Sequence, residues 1–212
     1  MLTPIQESIL VLSAMKNTFQ CVLKVFKRYI HDEDLKFSLQ MKMIVDLSSF
    51  ADEWARLGPI CKSEPQMIAT LKICEPAISR LKSWRGIRDF RNKVLAHGFR
   101  EELRDNGGKI VYKPVDFEKW YFKADVPNSY AEVLLLYEMA YFCMAIVINR
   151  HGNVTDGLDF IYDQQVERKG IETAEEFDNE MEIFMAHISD LDSTMTQKWN
   201  DYRKLVDITS GS

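Results

Sequence analysis

The residues best suited to chemistry lie in a basic segment near the middle of the chain, Arg80–Arg100. Within it lies the run Arg91-Asn92-Lys93-Val94-Leu95-Ala96-His97, in which the arginine, the asparagine and the histidine have side chains suited to anion chemistry. An arginine is a permanently charged planar fork that suits phosphate or carboxylate. An imidazole can take up or release a proton near neutral pH. The segment is therefore the candidate site for anion chemistry.

Arg91 is unusual when the segment is placed on a helix, because it falls within the apolar stripe and not on the solvated face. A buried guanidinium must find an acceptor. One interpretation is an ion pair inside the bundle, with Glu138 or Asp46 as candidate partners. The other is a binding site for an anion. The apolar stripe consists of Leu81, Trp84, Ile87, Val94 and Leu95, and the solvated face carries Lys82, Arg85, Asp89 and Lys93.

His97 also has two interpretations. A histidine in the last turn of a helix often interacts only with the free carbonyl groups and the helix dipole. On a straight helix it would lie about 120° around the axis from Arg91. The two side chains would then converge on one small group only if the helix is distorted or a second chain takes part.

The Arg91–His97 run resembles the R-x(4–6)-H signature of the HEPN superfamily of small helical-bundle proteins. Asn92 matches the polar residue that often follows the arginine in that signature. The wider sequence from Arg88 to Gly98 is similar to HEPN-like proteins grouped with bacterial abortive-infection systems. The resemblance covers the motif helix closely and the rest of the chain only as a helical-bundle pattern.

The resemblance implies a metal-independent endoribonuclease acting as a toxin or antiviral defence effector. His97 would take the proton from a ribose 2′-hydroxyl, Arg91 would stabilise charge on the phosphate, and Asn92 would orient either group. Many HEPN-like proteins are instead non-catalytic modules that bind a protein partner or a nucleotide, and this alternative stays open. The residues expected to bind RNA phosphates are Arg85, Arg88, Lys93 and Arg100.

The resemblance also implies a homodimer in which the two motifs meet. A two-fold interface repeats each residue across the axis, so two shallow half-sites around Arg91 and His97 can form one cleft. Trp84, Ile87 and Leu95 are expected to supply the apolar contact area. Acidic residues gather in the stretch 172–192, which is best explained as the solvated face of its helix. The other interpretation is an acidic surface that docks on or masks the basic segment. An inhibitory or regulatory protein partner is a further expectation.

No metal or cofactor is expected from the sequence. The four cysteines form no CxxC pair and are interpreted as buried thiols, and His31-Asp32 is better explained by helix capping than by metal binding. The net charge of −5 argues against electrostatic nucleic-acid binding by the molecule as a whole. The N-terminus has no signal-peptide pattern, and the apolar stretch Val133–Ile148 contains Glu138 and is short for a membrane span. A cytoplasmic protein without a membrane segment is predicted.

The predicted fold is an all-α antiparallel bundle of four to six helices. The 212 residues include only nine glycines and six prolines, which suits long helices. A HEPN-like core is expected over residues 1–152, with residues 153–212 as a helical extension packed on the same domain. A small β-hairpin is predicted near residues 103–117, around Asn106-Gly107-Gly108.

Local signals predict where the helices begin and end. Thr3 and Gln6 form a capping box for a first helix that reaches about Ile30. Asp34 is expected to cap a second helix, which Gly58-Pro59 should stop. Ser63 begins a third helix that Pro76 should break or kink. The later helices are predicted over 77–97, over 129–149, and from Thr173 through an apolar stripe that extends to Tyr202.

Overall fold

The computed structural model describes residues 2–92, 100–114, 116, 120–158, 170–171, 173–195 and 197. The chain divides into two compact units, Met1–Leu158 and Asp159–Ser212. The first unit contains α1 (Pro4–Arg28), α2 (Glu33–Ile60), α3 (Pro65–Lys82), α4 (Ile87–Arg91), β1 (Arg100–Arg104), β2 (Ile110–Pro114) and α5 (Tyr130–His151), followed by a 3₁₀ turn, Gly152–Thr155. The second contains α6 (Ala174–Leu191). The predicted mostly helical bundle with a small hairpin is confirmed.

Helix α1 begins as its sequence predicts. The Thr3 hydroxyl accepts a hydrogen bond from the Gln6 backbone N–H, and the Gln6 side chain accepts one from the Thr3 backbone N–H. This capping box satisfies two N–H groups that a helix start otherwise leaves without partners. Its apolar stripe then packs against α2 and α5 and includes Leu12, Phe19 and Phe26, all of them buried.

Helix α2 is longer than predicted at both ends. Its N-cap is Asp32, whose carboxylate accepts from the Leu35 N–H at 2.9 Å, and the predicted cap Asp34 lies inside the first turn. At the other end the helix runs through Gly58-Pro59 and ends at Ile60, one residue past the predicted stop. Pro59 is exposed, and water can there replace the hydrogen bond that proline cannot donate. Burial of Leu57 keeps the last turn helical.

The third helix is also not interrupted where predicted. Helix α3 continues through the exposed Pro76 to Lys82 and buries Cys74, Ile78 and Leu81. The chain leaves the helix at Ser83, and the short helix α4 starts at Ile87. A single helix over 77–97 is therefore wrong, because a break separates Leu81 and Trp84 from Ile87.

Helix α5 is the central helix of the bundle and contacts α1, α2 and α3. Its Tyr137 ring stacks on Phe19 with centroids 3.9 Å apart, and the Tyr137 hydroxyl donates to the Asp46 carboxylate at 2.8 Å. Burial, reinforced by the negative charge of Asp46, raises the pKa of Tyr137 above its ordinary value. The prediction that Val133–Ile148 belongs to a core helix is confirmed, with Val133, Leu136 and Tyr137 among its buried residues.

Within the described chain, two helical segments, Pro4–Arg28 and Tyr130–Thr155, are long and apolar enough to span a membrane. This is a statement about length and composition, and core helices of soluble bundles share both properties. Both segments supply buried residues to the common core, including Ile9 and Leu12 from the first and Ala140 and Met144 from the second.

The β-hairpin follows its predicted turn. Strands β1 and β2 pair antiparallel, with Leu103 opposite Val111. The Asp105 carboxylate accepts from the backbone N–H groups of Gly107 and Lys109, and Gly108 takes a positive φ of 77°. Glycine adopts that conformation without the steric penalty that a Cβ would add. The sequence signal here is local, which is why it sufficed.

In the second unit, α6 begins with the predicted capping box between Thr173 and Glu176. The helix ends at Leu191, where Asp192 has an extended backbone, so the continuous helical stripe predicted to reach Tyr202 is interrupted. The apolar stripe of α6 is largely exposed, with Phe177 at 49% and Leu191 at 76%. Helix α6 carries acidic residues but no lysine or arginine.

Candidate functional site

The turn between α3 and α4 is held by the segment that precedes α5. The Gly86 backbone N–H donates to the Asp125 carbonyl at 2.8 Å, and the Arg85 N–H donates to the Asp125 carboxylate at 3.1 Å. A Cβ at position 86 would lie 2.7 Å from the Asp125 carbonyl oxygen. Only glycine permits so close an approach, so this contact sets the direction in which α4 leaves the turn.

Phe90 anchors α4 to the bundle. It is fully buried, and its ring lies 5.6 Å from the ring of Trp120 and 5.9 Å from that of Tyr121, measured between centroids. The Tyr121 hydroxyl donates to the Pro127 carbonyl at 3.0 Å and accepts from the Gln40 amide on α2 at 2.7 Å. Burial raises the pKa of Tyr121 to about 12. The hydroxyl is therefore neutral and serves as a fixed link between α2 and this aromatic cluster.

With α4 held in this way, two arginines one helical turn apart face the same carboxylate of α2. Arg88 Nη2 lies 2.7 Å from Asp52 Oδ1, and Arg91 Nη1 lies 2.6 Å from Asp52 Oδ2. The exposed fractions of the side chains are 70% for Arg88, 27% for Arg91 and 33% for Asp52. We call Arg88, Asp52 and Arg91 the arginine pair site.

The arginine pair site carries a formal charge of +1, since one carboxylate faces two guanidinium groups. Each guanidinium has five N–H donors in a fixed fork. The two ion pairs occupy one terminal nitrogen of Arg88 and one of Arg91 among the described residues. Asp52 therefore positions both forks without neutralising them. A phosphate or carboxylate at this surface would meet two oriented cations.

The interpretation of Arg91 as half of an ion pair is confirmed, but both expected partners are wrong. Glu138 binds Lys27, and Asp46 binds Lys42 and the Tyr137 hydroxyl. Sequence reasoning missed Asp52 because it lies 39 residues before Arg91. One signal was available: Asp52 sits on the predicted second helix, close to the apolar positions 50 and 54.

A second ion pair reduces the positive charge of the basic segment further. Arg80 donates to both oxygens of Glu132 on α5, at 2.9 and 2.5 Å, and Trp84 Nε1 donates to Glu132 at 3.0 Å. The hydrogen bond from Arg80, and to a smaller extent that from Trp84, lowers the pKa of Glu132 below its ordinary value. Arg80 is thus part of the scaffold, and the basic segment is less positive than its sequence suggests.

The other predicted site residues do not all join Arg91. Asn92 is exposed and caps the end of α4, and Arg85 is exposed on the turn before it. Arg100 is exposed at the start of β1. His97 and Lys93 lie outside the described residues. Of the predicted set, the structure therefore brings together Arg88 and Arg91 and adds Asp52 to them.

The apolar face assigned to a dimer contact is largely used within the chain. Ile87 is only 4% exposed and belongs to the bundle core. Trp84 is half-buried, with its indole N–H bound to Glu132. Leu95 lies outside the described residues. The prediction that this stripe is free for a second copy is wrong for Ile87, because α4 turns that side chain inward.

Within the part of the chain that the structure describes, no three His, Cys, Asp or Glu side chains are grouped so as to hold a metal ion. Cys61, Cys74 and Cys143 are buried as predicted, whereas Cys21 is exposed. Comparison of the chain with protein-family models, with curated proteins and with solved structures found no match. The interpretation of the site therefore depends on its own geometry.

Proposed function

We propose that the protein is a HEPN-like metal-independent endoribonuclease of the toxin or antiviral defence type, acting in the cytoplasm. The observation that carries the proposal is the arginine pair site, where Asp52 holds Arg88 and Arg91 with their charge only half compensated. Two oriented guanidinium forks at a surface suit a phosphodiester better than a single lysine would. The resemblance of the Arg91–His97 run to the HEPN signature supplies the reaction.

In that reaction the ribose 2′-hydroxyl attacks the adjacent phosphorus. His97 takes the hydroxyl proton as the new O–P bond forms, and Arg91 stabilises the charge that develops on the phosphate oxygens. The P–O bond to the 5′-oxygen then breaks, and that oxygen takes a proton from water as it leaves. His97 releases the proton that it accepted to solvent and returns to its neutral form. The products are a 2′,3′-cyclic phosphate and a 5′-hydroxyl end. Arg88, Arg85, Lys93 and Arg100 would bind neighbouring phosphates.

The test is cleavage of labelled structured and unstructured RNAs in the presence of EDTA. Wild-type cleavage should survive chelation, and both Arg91→Gln and His97→Ala should lower its rate by at least about 100-fold, the scale of general acid–base catalysis. Arg56→Gln is the matched control, because it removes the same charge from an exposed pair with Glu7. Full activity in both site variants would refute the proposal.

The second candidate is a non-catalytic module of the same fold that binds a nucleotide or a protein partner. The observation that favours it is the 2.6 Å contact between Arg91 and Asp52, which gives Arg91 a structural role. RNA binding that weakens in Arg91→Gln, with no cleavage by any form of the protein, would favour this candidate over the enzyme.

A homodimer remains part of the leading proposal, since an isologous interface would bring a second motif to the first. Light scattering across a concentration series tests it. A protein that stays monomeric at tens of micromolar, roughly where a standard-sized interface should hold, would remove the composite site. It would thereby shift the balance to the binding module.

A further inference from the structure

A cavity opens at the end of the bundle where α1 and α3 begin and α5 ends. Its volume is about 820 Å³, within the range of roughly 300–1,000 Å³ that small-molecule sites occupy. None of the residues that line it belongs to the arginine pair site or to the HEPN-like run. The cavity therefore needs an explanation of its own.

A buried hydroxyl organises the polar wall of this cavity. Thr70 is fully buried, and its Oγ1 donates to the Gln66 carbonyl at 3.0 Å. The same oxygen accepts from Arg150 Nη1 at 3.2 Å and lies 2.8 Å from His151 Nε2. A hydroxyl has one proton; with that proton on the Gln66 carbonyl, the contact with His151 is a hydrogen bond donated by Nε2. Thr70 thus holds Arg150 and His151 side by side.

Arg150 is one of several arginines of the described chain whose positive charge is not balanced by a carboxylate. Arg56, Arg80, Arg88 and Arg91 each face a carboxylate. Arg150 forms no ion pair with any described residue, and its hydrogen bond goes to the neutral Thr70 hydroxyl. A guanidinium fork that retains free N–H donors, beside an imidazole that gains a positive charge when it is protonated, is a suitable arrangement for an oxyanion.

The rest of the lining indicates the size and character of the ligand. Ile5, Val154 and the almost fully buried Met67 form the apolar part of the lining. Among the described residues of the lining, the exposed Glu64 is the one acidic residue, and its side chain makes no capping hydrogen bond to α3. An anionic group near Arg150, an uncharged body against the apolar wall, and a position away from Glu64 would satisfy all three features.

We propose that this cavity binds a small phosphate monoester of mononucleotide size, with its phosphate on Arg150 and His151. Burial and the neighbouring Arg150 charge lower the pKa of His151 in the free protein. An anion bound there would oppose the effect and raise that pKa.

Titration of the full chain with AMP, inorganic phosphate and adenosine, followed by calorimetry and by NMR of the His151 ring, tests the proposal. AMP should bind saturably and raise the His151 pKa, phosphate should bind more weakly, and adenosine should leave that pKa unchanged. Arg150→Gln should weaken AMP binding by about 10- to 100-fold, as for a lost charge-assisted hydrogen bond. Glu64→Gln should tighten it several-fold.

Lys72→Gln is the matched control, because Lys72 is an exposed residue of α3 that does not line the cavity. Equal weakening by Lys72→Gln and Arg150→Gln would overturn the proposal in favour of non-specific charge attraction. Absence of AMP binding at millimolar concentration would show that Arg150 and His151 only complement the C-terminal dipole of α5. Should Arg150→Gln unfold the bundle, an unchanged affinity in Glu64→Gln would refute the proposed orientation.

Discussion

Replacing Asp52 by asparagine separates the two roles of the arginine pair site, because it removes the negative charge but keeps the shape. In each of the two ion pairs, at least one side chain is about one-third or more exposed, so solvent screens the attraction between the charges. Such pairs are each worth roughly 0.2–1 kcal/mol. We therefore expect Asp52→Asn to lower the free energy of unfolding by about 1 kcal/mol, equivalent to a fall in Tm of about 2–4 °C for a chain of this size.

The same substitution should strengthen RNA binding. The formal charge of the site rises from +1 to +2, and one additional phosphate contact steepens the dependence of log affinity on log salt by about 0.7 for single strands. Cleavage per bound RNA should fall by at least about 10-fold, because Arg91 loses the group that positions it and small misplacements at a catalytic group are costly. Tighter binding combined with slower cleavage is the expected signature.

The assay is fluorescence anisotropy with a labelled single-stranded RNA at two salt concentrations, accompanied by denaturant unfolding and RNA cleavage. Glu7→Gln is the control, since Glu7 is an exposed carboxylate that pairs with Arg56 at 3.3 Å. Equal effects of Asp52→Asn and Glu7→Gln on RNA affinity would refute the assignment of the phosphate site to Arg88 and Arg91. A loss of stability above about 3 kcal/mol, the scale of a broken buried pair, would mean that Asp52 is mainly structural.

Three further predictions concern the scaffold. Phe90→Ala should lower the free energy of unfolding by about 3–5 kcal/mol. The control Phe122→Ala, at a side chain that is 62% exposed, should change it by less than about 0.5 kcal/mol. Equal losses of stability in denaturant unfolding would show that Phe90 does not anchor α4. Arg80 lowers the pKa of Glu132, so the ionised Glu132 stabilises the fold at pH values above the ordinary carboxyl pKa, and this stabilisation is lost as the pH falls through the lowered pKa. Thermal melts between pH 6 and 3 should therefore show a shallower pH dependence of Tm in Glu132→Gln than in the wild type. An unchanged slope would contradict the ion pair. Thr3→Ala should cost about 1 kcal/mol through loss of the α1 cap, with Thr3→Ser as the conservative variant that retains the hydroxyl and most of the stability.

Features coded by neighbouring residues were predictable from the sequence. The capping boxes at Thr3 and Thr173 and the turn at Asn106-Gly107-Gly108 depend on contacts within about four residues, and all three form as expected. The helical periodicity of the apolar residues likewise predicted the bundle and the core helix around Tyr137. These signals do not depend on where the rest of the chain lies.

Where a helix ends or breaks depends also on contacts with distant parts of the chain, and these features were not predictable in the same way. Pro59 and Pro76 were expected to end or kink helices, yet both lie inside them at exposed positions. Burial of Leu57 and Ile78 near them offsets a lost hydrogen bond that water can replace. Conversely, the helix expected over 77–97 is interrupted between Ser83 and Gly86, where the Asp125 backbone lies too close to Gly86 for any side chain.

For the candidate site, the sequence by itself determined the chemical types: arginines spaced one helical turn apart, an asparagine, and a histidine six residues after Arg91. Only the tertiary structure decided that Arg88 and Arg91 share Asp52, that Arg80 is taken by Glu132, and that Ile87 points into the core. The physical reason is that a charged side chain can pair with any opposite charge that folding brings near it, and the local sequence does not indicate which one. Which carboxylate compensates it depends on helices that meet only after the chain has folded, 36 to 52 residues apart along the chain.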